Sequence, residues 1–121
     1  MGEHYGPVTL HSAAVATAVG AVIDVRRYLT KIIEIVTASS FDGTADIQGS
    51  LDGTNFVNCR YAPLATTGAL GYVVAQLTYT NDASRAFFIV TDYWPYIRVN
   101  MTRTDGNITV KLQAISEGSA A

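Results

Sequence analysis

The sequence predicts an all-β protein: an antiparallel β-sandwich of seven to eight strands with jelly-roll or Greek-key-like connectivity. Three observations predict it. Apolar residues recur at every second position in several segments, Asp-Gly and Asn-Asp steps punctuate them at about 8–12 residue spacing, and no segment sustains a helical period. With 121 residues, the chain makes one domain that can bury roughly two thirds of its unfolded surface without staples.

Residues 1–12 are expected as an N-terminal arm. Met1-Gly2-Glu3-His4-Tyr5-Gly6-Pro7 lacks the basic start and apolar core of a secretion signal, and Gly6 stands where a myristoylation motif needs Ser or Thr. The run 13–23 is apolar apart from Thr17 and Gly20, about half the length that crosses a hydrocarbon layer. Gly20 interrupts any helix, so short strands are expected near 8–12 and 18–25, with a helix as the alternative.

After Arg26-Arg27, the segment 28–37 puts Leu29, Ile33 and Ile35 on one face and Ile32 and Val36 on the other. Such a strand is either central in a sheet or has its second face under a neighbouring chain. Ser39-Ser40-Phe41-Asp42-Gly43 is predicted to turn the chain into the next strand. There Ala45, Ile47, Gly49 and Leu51 alternate with Thr44, Asp46, Gln48 and Ser50. Asp52-Gly53 supplies the positive φ of a two-residue hairpin turn, and the return strand starts at Asn55-Phe56-Val57.

The stretch 60–71, with Pro63, Gly68 and Gly71, reads as the longest loop, and loops of that length usually carry function or pack on a partner. Alternation resumes over 72–80 and ends at Asn81-Asp82-Ala83-Ser84. The continuous apolar run 86–91 is expected as a buried strand closed by Asp92-Tyr93-Trp94-Pro95. Ile97, Val99 and Met101 then face inward, Asp105-Gly106 is predicted to turn the chain, and Ile108, Val110, Leu112 and Ala114 face inward on the last strand. The sandwich domain spans 13–116, and 117–121 is a tail.

Hydrophobic residues make up 49% of the chain and charged residues only 15%, so the surface is read as one meant for contact. A formal charge of -2 offers no basic stripe for nucleic acid. No membrane segment is expected. Cys59 is the one cysteine, so no internal disulfide forms.

Catalysis finds no support. His4 and His11 are the near-neutral bases, and neither has a Ser or Cys nucleophile in a recognisable elbow nearby. Both are expected on the surface or at an interface. Asp42, Asp52 and Asp105 each precede a glycine, Gly43, Gly53 and Gly106, so their carboxylates are assigned to turns. No metal-ligand spacing is present, and no cofactor is expected. Tyr72, Tyr79, Tyr93, Trp94 and Tyr96 could line a sugar platform or anchor a protein interface. Trp94 beside Pro95 is read as a packing corner.

Ser50-Leu51-Asp52-Gly53-Thr54-Asn55-Phe56 resembles the Ser-x-Asp-Gly-x-x-aromatic hairpin of small β-sandwich proteins in bacteriophage particles. The resemblance extends to Gly20-Ala21-Val22-Ile23-Asp24-Val25, to Tyr96-Ile97-Arg98-Val99 and to Asp105-Gly106-Asn107-Ile108-Thr109-Val110, and covers most of 19–116. The same hairpin also looks like a degenerate form of the Asp-box of sialidase propellers, with the spacer between Asp and Gly missing and no repeat.

The phage resemblance implies a minor virion structural protein, foremost a capsid decoration or cement protein on the outer capsid surface, made in the host cytoplasm. Its implied partners are the major capsid protein and copies of itself, as homodimer or homotrimer. Interface candidates are His4, Tyr5, His11, Arg26, Arg27, Tyr93 and Trp94. The alternatives are a neck, tail or fibre-attachment component and a carbohydrate-binding module.

Overall fold

The computed structural model describes residues 4–64 and 71–115. Eight strands follow in chain order: β1 (His4–Ala14), β2 (Ile23–Asp24), β3 (Thr30–Ser50), β4 (Val57–Asn58), β5 (Ala62–Pro63), β6 (Leu77–Asp82), β7 (Arg85–Val90) and β8 (Tyr96–Ile115). All pairings are antiparallel, and no helix occurs among the described residues. All eight belong to one sheet that does not close on itself, in the order β1-β8-β3-β7-β5, with β2 on β8 and β4 and β6 on β3.

Two strands organise it. β3 and β8 pair along their whole length, from Thr30 opposite Ile115 to Ser50 opposite Tyr96. The segment 4–24 follows the free side of β8, through β1, a bridge from Ala18 to Met101, and β2 opposite Ile97 and Tyr96. The segment 77–90 follows the free side of β3, with β7 opposite 31–36 and β6 opposite 41–45.

Each of these four segments bends midway, and each carries left-handed backbone there. Ala13 (φ 45), Ser39 and Ser40 (both φ 57), Asn81 (φ 48) and Gly106 (φ 72) form a row across the sheet. The neighbouring pairs Ala14–Ile108, Ala38–Asn107 and Val36–Arg85 fix that row in register. Extra residues on a strand bend it and raise its twist, so the sheet folds over along this line. Its inward rows, Ile33, Ile35, Val110 and Leu112 from one half and Ala45, Ile47, Val99 and Met101 from the other, join Phe41 in one buried core.

The two predicted turns at this line are therefore bulges. Asp42-Gly43 does not reverse the chain, because Asp42 pairs with Asp105 and Gly43 with Arg103 inside continuous strands. Asp105-Gly106 does not make a hairpin either: 97–101 and 108–114 lie on the single strand β8. Positive φ at Gly106 alone, opposed by Ser39 and Ser40, re-aims the strand where a reversal would need a closed turn. A Cβ on Gly106 would stand 2.6 Å from Phe41 Cα, so this crossing needs a bare backbone.

The expected arm is also corrected. From His4 to Ala14 the chain is β1, hydrogen-bonded to β8, because Val8, Leu10 and His11 have β8 to pack on. The predicted loop 60–71 begins in ordered pairing, with Tyr61 bridging Val73 and β5 on β7. Its part at 65–70, like the tail 117–121, lies outside the described residues. The predicted strand 72–80 is shorter than expected, since regular pairing starts at Leu77.

Candidate functional site

Folding a sheet across its middle brings the far ends of each long strand together. The connections 25–29, 51–56 and 91–95 consequently meet at the open end opposite the bend line. Three bonds tie 25–29 and 91–95 to each other and to the start of β3: Val25 N donates to Pro95 O at 2.7 Å, and Lys31 Nζ donates to Leu29 O at 2.7 Å and Asp92 O at 2.6 Å. Arg60 grips the Asp92 carboxylate with Nε at 2.8 Å and Nη2 at 2.9 Å.

Lys31 occupies an inward position of β3 and is fully buried. Burial pushes its amine down from 10.5 to about 8, opposed by the nearby Asp92 charge. Sequence reasoning passed over it, although the parity that turns Ile33 and Ile35 inward turns Lys31 inward as well. Its two carbonyl acceptors are what let a cation sit there.

One side of the open end gathers Tyr5, Asp24, Arg26, Arg27 and Tyr28 around a cavity of about 290 Å³. Tyr5 and Tyr28 stack with centroids 5.9 Å apart. The Asp24 carboxylate accepts from Arg26 N and Arg26 Nε, which hold it below its ordinary value and raise the guanidinium. Arg26 also donates to Tyr96 Oη and lies 5.2 Å from the Tyr96 ring centroid.

The other side is built on the connection 51–56. Asp52 Oδ1 accepts from Thr54 N and Asn55 N, both at 2.8 Å, and from Ser50 Oγ, while Oδ2 accepts from Asn55 Nδ2. These donors hold its carboxyl well below the usual carboxylate range, the Asn55 amide first. The predicted two-residue hairpin is thus a six-residue loop between β3 and β4, because one carboxylate collects successive amides beyond Gly53. Beside it, Gly49, Leu51, Val57 and Trp94 wall a groove of about 310 Å³. The Trp94 ring lies against Gly49, where a Cβ would stand 2.6 Å from its Cγ, and its buried Nε1 has no acceptor.

No protein-family model matches the chain, and no curated protein matches it. Among solved structures it is similar to the SPBc2 prophage-derived protein YomS, with TM-score 0.72 and 15% identity over 96% of this chain and 94% of that one. It is also similar to the PBSX exported protein XepA, with TM-score 0.70 and 14% identity over 96% of this chain and 38% of that one. The chain shares its fold with a prophage-derived protein and with an exported one. At these identities the likeness is one of fold.

Of the predicted interface residues, the structure brings Tyr5, Arg26 and Arg27 together and sets Tyr93 and Trp94 in the neighbouring connection. His4 begins β1. His11 is the exception: expected on the surface or at an interface, it is buried, with Nε2 at 2.7 Å from Val99 O. Tyr96, named among the candidate platform rings, also joins the site, and Tyr28, Leu51 and Val57 complete it and were not singled out. Their signal, aromatic or apolar residues flanking strand ends, reads the same for a core position.

The rings of the suggested sugar platform do not share one face. Tyr79 packs edge-on to Phe41, Tyr72 lies under Arg60, and Trp94 backs onto Gly49. Among the described residues no group of three His, Cys, Asp or Glu could hold a metal ion, and no helix is long and apolar enough to cross a membrane.

Proposed function

We propose that this chain is a structural component of a bacteriophage particle, docking through its open end onto the major capsid protein as a decoration or cement protein. The observation that carries the reading is the likeness to the prophage-derived protein YomS over nearly the whole of both chains. It is supported by the open end itself. Exposed Tyr5, Arg26 and Tyr93, with the half-buried Tyr28 stacked on Tyr5, form an aromatic and cationic surface of the kind that anchors protein interfaces, and aromatic rings with Arg dominate such anchors. Repetition over a symmetric shell multiplies one small contact into many.

The test is quantitative mass spectrometry of purified particles. Copies approaching one per shell subunit, or one per small group of subunits, support decoration; a handful per particle moves the chain to the neck or tail. A second reading, an exported phage-encoded protein, is favoured by the likeness to XepA. Accumulation in the medium with none in particles would establish it in place of the first.

A further inference from the structure

We propose that the groove beside β4 binds an extended peptide segment that carries a bulky apolar side chain next to a Lys or Arg. Its walls are apolar and open to solvent: Leu51 is 73% exposed and Val57 56% exposed, and the Trp94 indole closes the base. The residues are held in place before any ligand arrives, since Asp52 ties the loop down through four hydrogen bonds and Gly49 seats the indole. A pre-organised groove loses less ordering entropy on binding.

The backbone beside the groove supplies the second element. Cys59 N donates to Ile47 O, which makes 47 and 59 a hydrogen-bonded pair and places Gln48 and Asn58 in a non-hydrogen-bonded one. Asn58 therefore turns its N–H and C=O away from β3, and among the described residues β4 has β3 as its partner. An incoming strand can pair there while every second side chain enters the groove.

The polar groups select between occupants. Ser50, Asp52 and Asn55 satisfy one another, so the groove presents few donors or acceptors to sugar hydroxyls. Asp52 stays ionised, and its partners are amides and a hydroxyl, so its negative charge favours a cation on the ligand.

This inference goes beyond the particle reading and needs no particles to test, so either can fail alone. The probes are short blocked peptides of alternating Thr and Lys with a central Leu or Phe, titrated into the full chain and followed by emission of its single tryptophan. Saturable binding is expected, weakened about tenfold or more when the central residue is Ala, when Glu replaces the flanking Lys, or when the chain carries Leu51→Ser with Val57→Ser. Both substituted positions are exposed, so thermal unfolding should be unchanged.

Three results would overturn the proposal: no response to any of the peptides, equal affinity in the double variant, or an emission response to hexoses. So would a chain that sediments as a dimer and becomes monomeric in the double variant, since a second copy would then fill the groove.

Discussion

His11 Nε2 lies 2.7 Å from the carbonyl oxygen of Val99, 88 residues further along the chain. On either side of Val99, β8 is covered by backbone, with Ala18 on Met101 and Ile23 on Ile97. Between these points residues 19–22 leave the ladder, and the imidazole N–H takes the place of the missing amide donor. Gly20 makes room, since a Cβ there would stand 2.5 Å from Nε2.

Replacing His11 by Ala leaves a buried carbonyl without its donor and should cost about 1–3 kcal/mol in urea unfolding. Gly20→Ala should also destabilise, through the clash and through its φ of +76. The two should not add: Gly20→Ala should cost less in the His11→Ala background, where the clash is gone. Additive midpoints would mean that the ring and the glycine do not touch.

The bend line predicts opposite outcomes for glycine and serine. Gly106→Ala combines a φ of +72 with Cβ approaches of 2.6 to 2.8 Å to the backbone of Phe41 and Ala38, and should destabilise by more than about 2 kcal/mol. Ser40→Gly removes a Cβ from left-handed backbone and should be neutral or stabilising by up to about 1 kcal/mol. Thermal unfolding of both variants checks the pair; a destabilised Ser40→Gly would show that the serine side chain matters more than its backbone.

Gly49→Ala should displace the Trp94 ring that lies on it. A shifted emission maximum and a loss of about 1–3 kcal/mol are expected, from overpacking against an otherwise close-packed ring. An unchanged spectrum would mean that the indole does not rest there.

Lys31 and Cys59 shape stability in mild alkali. The folded amine titrates at about 8 against an ordinary 10.5, so between those values the unfolded chain binds more protons and stability rises with pH. Burial pushes the Cys59 thiol from 9.0 up to about 12, so the folded chain keeps that proton while the unfolded one loses it, and stability falls as pH rises above 9.0. Stability should therefore climb from pH 8 to about 9, by at most about 1 kcal/mol, then level and fall. Lys31→Met should abolish the climb and Cys59→Ala should extend it towards pH 10. Urea midpoints across this range decide; a climb that survives Lys31→Met would assign it to another group.

The period of two identified strand content and the inward rows directly, because side-chain parity is a local property of extended backbone. Ala45, Ile47, Val99, Met101, Ile108, Val110 and Leu112 all lie in the core that alternation indicated. Even Lys31 was inward by parity, although its acceptors, Leu29 O and Asp92 O, come from different segments.

What the sequence by itself determined is therefore the all-β class, the antiparallel strands and the inward rows of β3 and β8, although Leu29 and Leu51, which continue the β3 rows beyond its ends, and Phe87 in the run expected to be buried are exposed. Tertiary structure decided whether a positive-φ step reverses the chain or bends it. Asp52-Gly53 starts a reversal, while Asp105-Gly106 lies within one strand, and the difference is made by the partner: Ser39 and Ser40 bend at the same level as Gly106 and keep both strands paired. The open end follows from that bend alone. Tyr5 lies opposite Ala114 at one end of β8 and Arg26 lies beside Tyr96 at the other, and only folding the sheet across its middle lets them line one cavity.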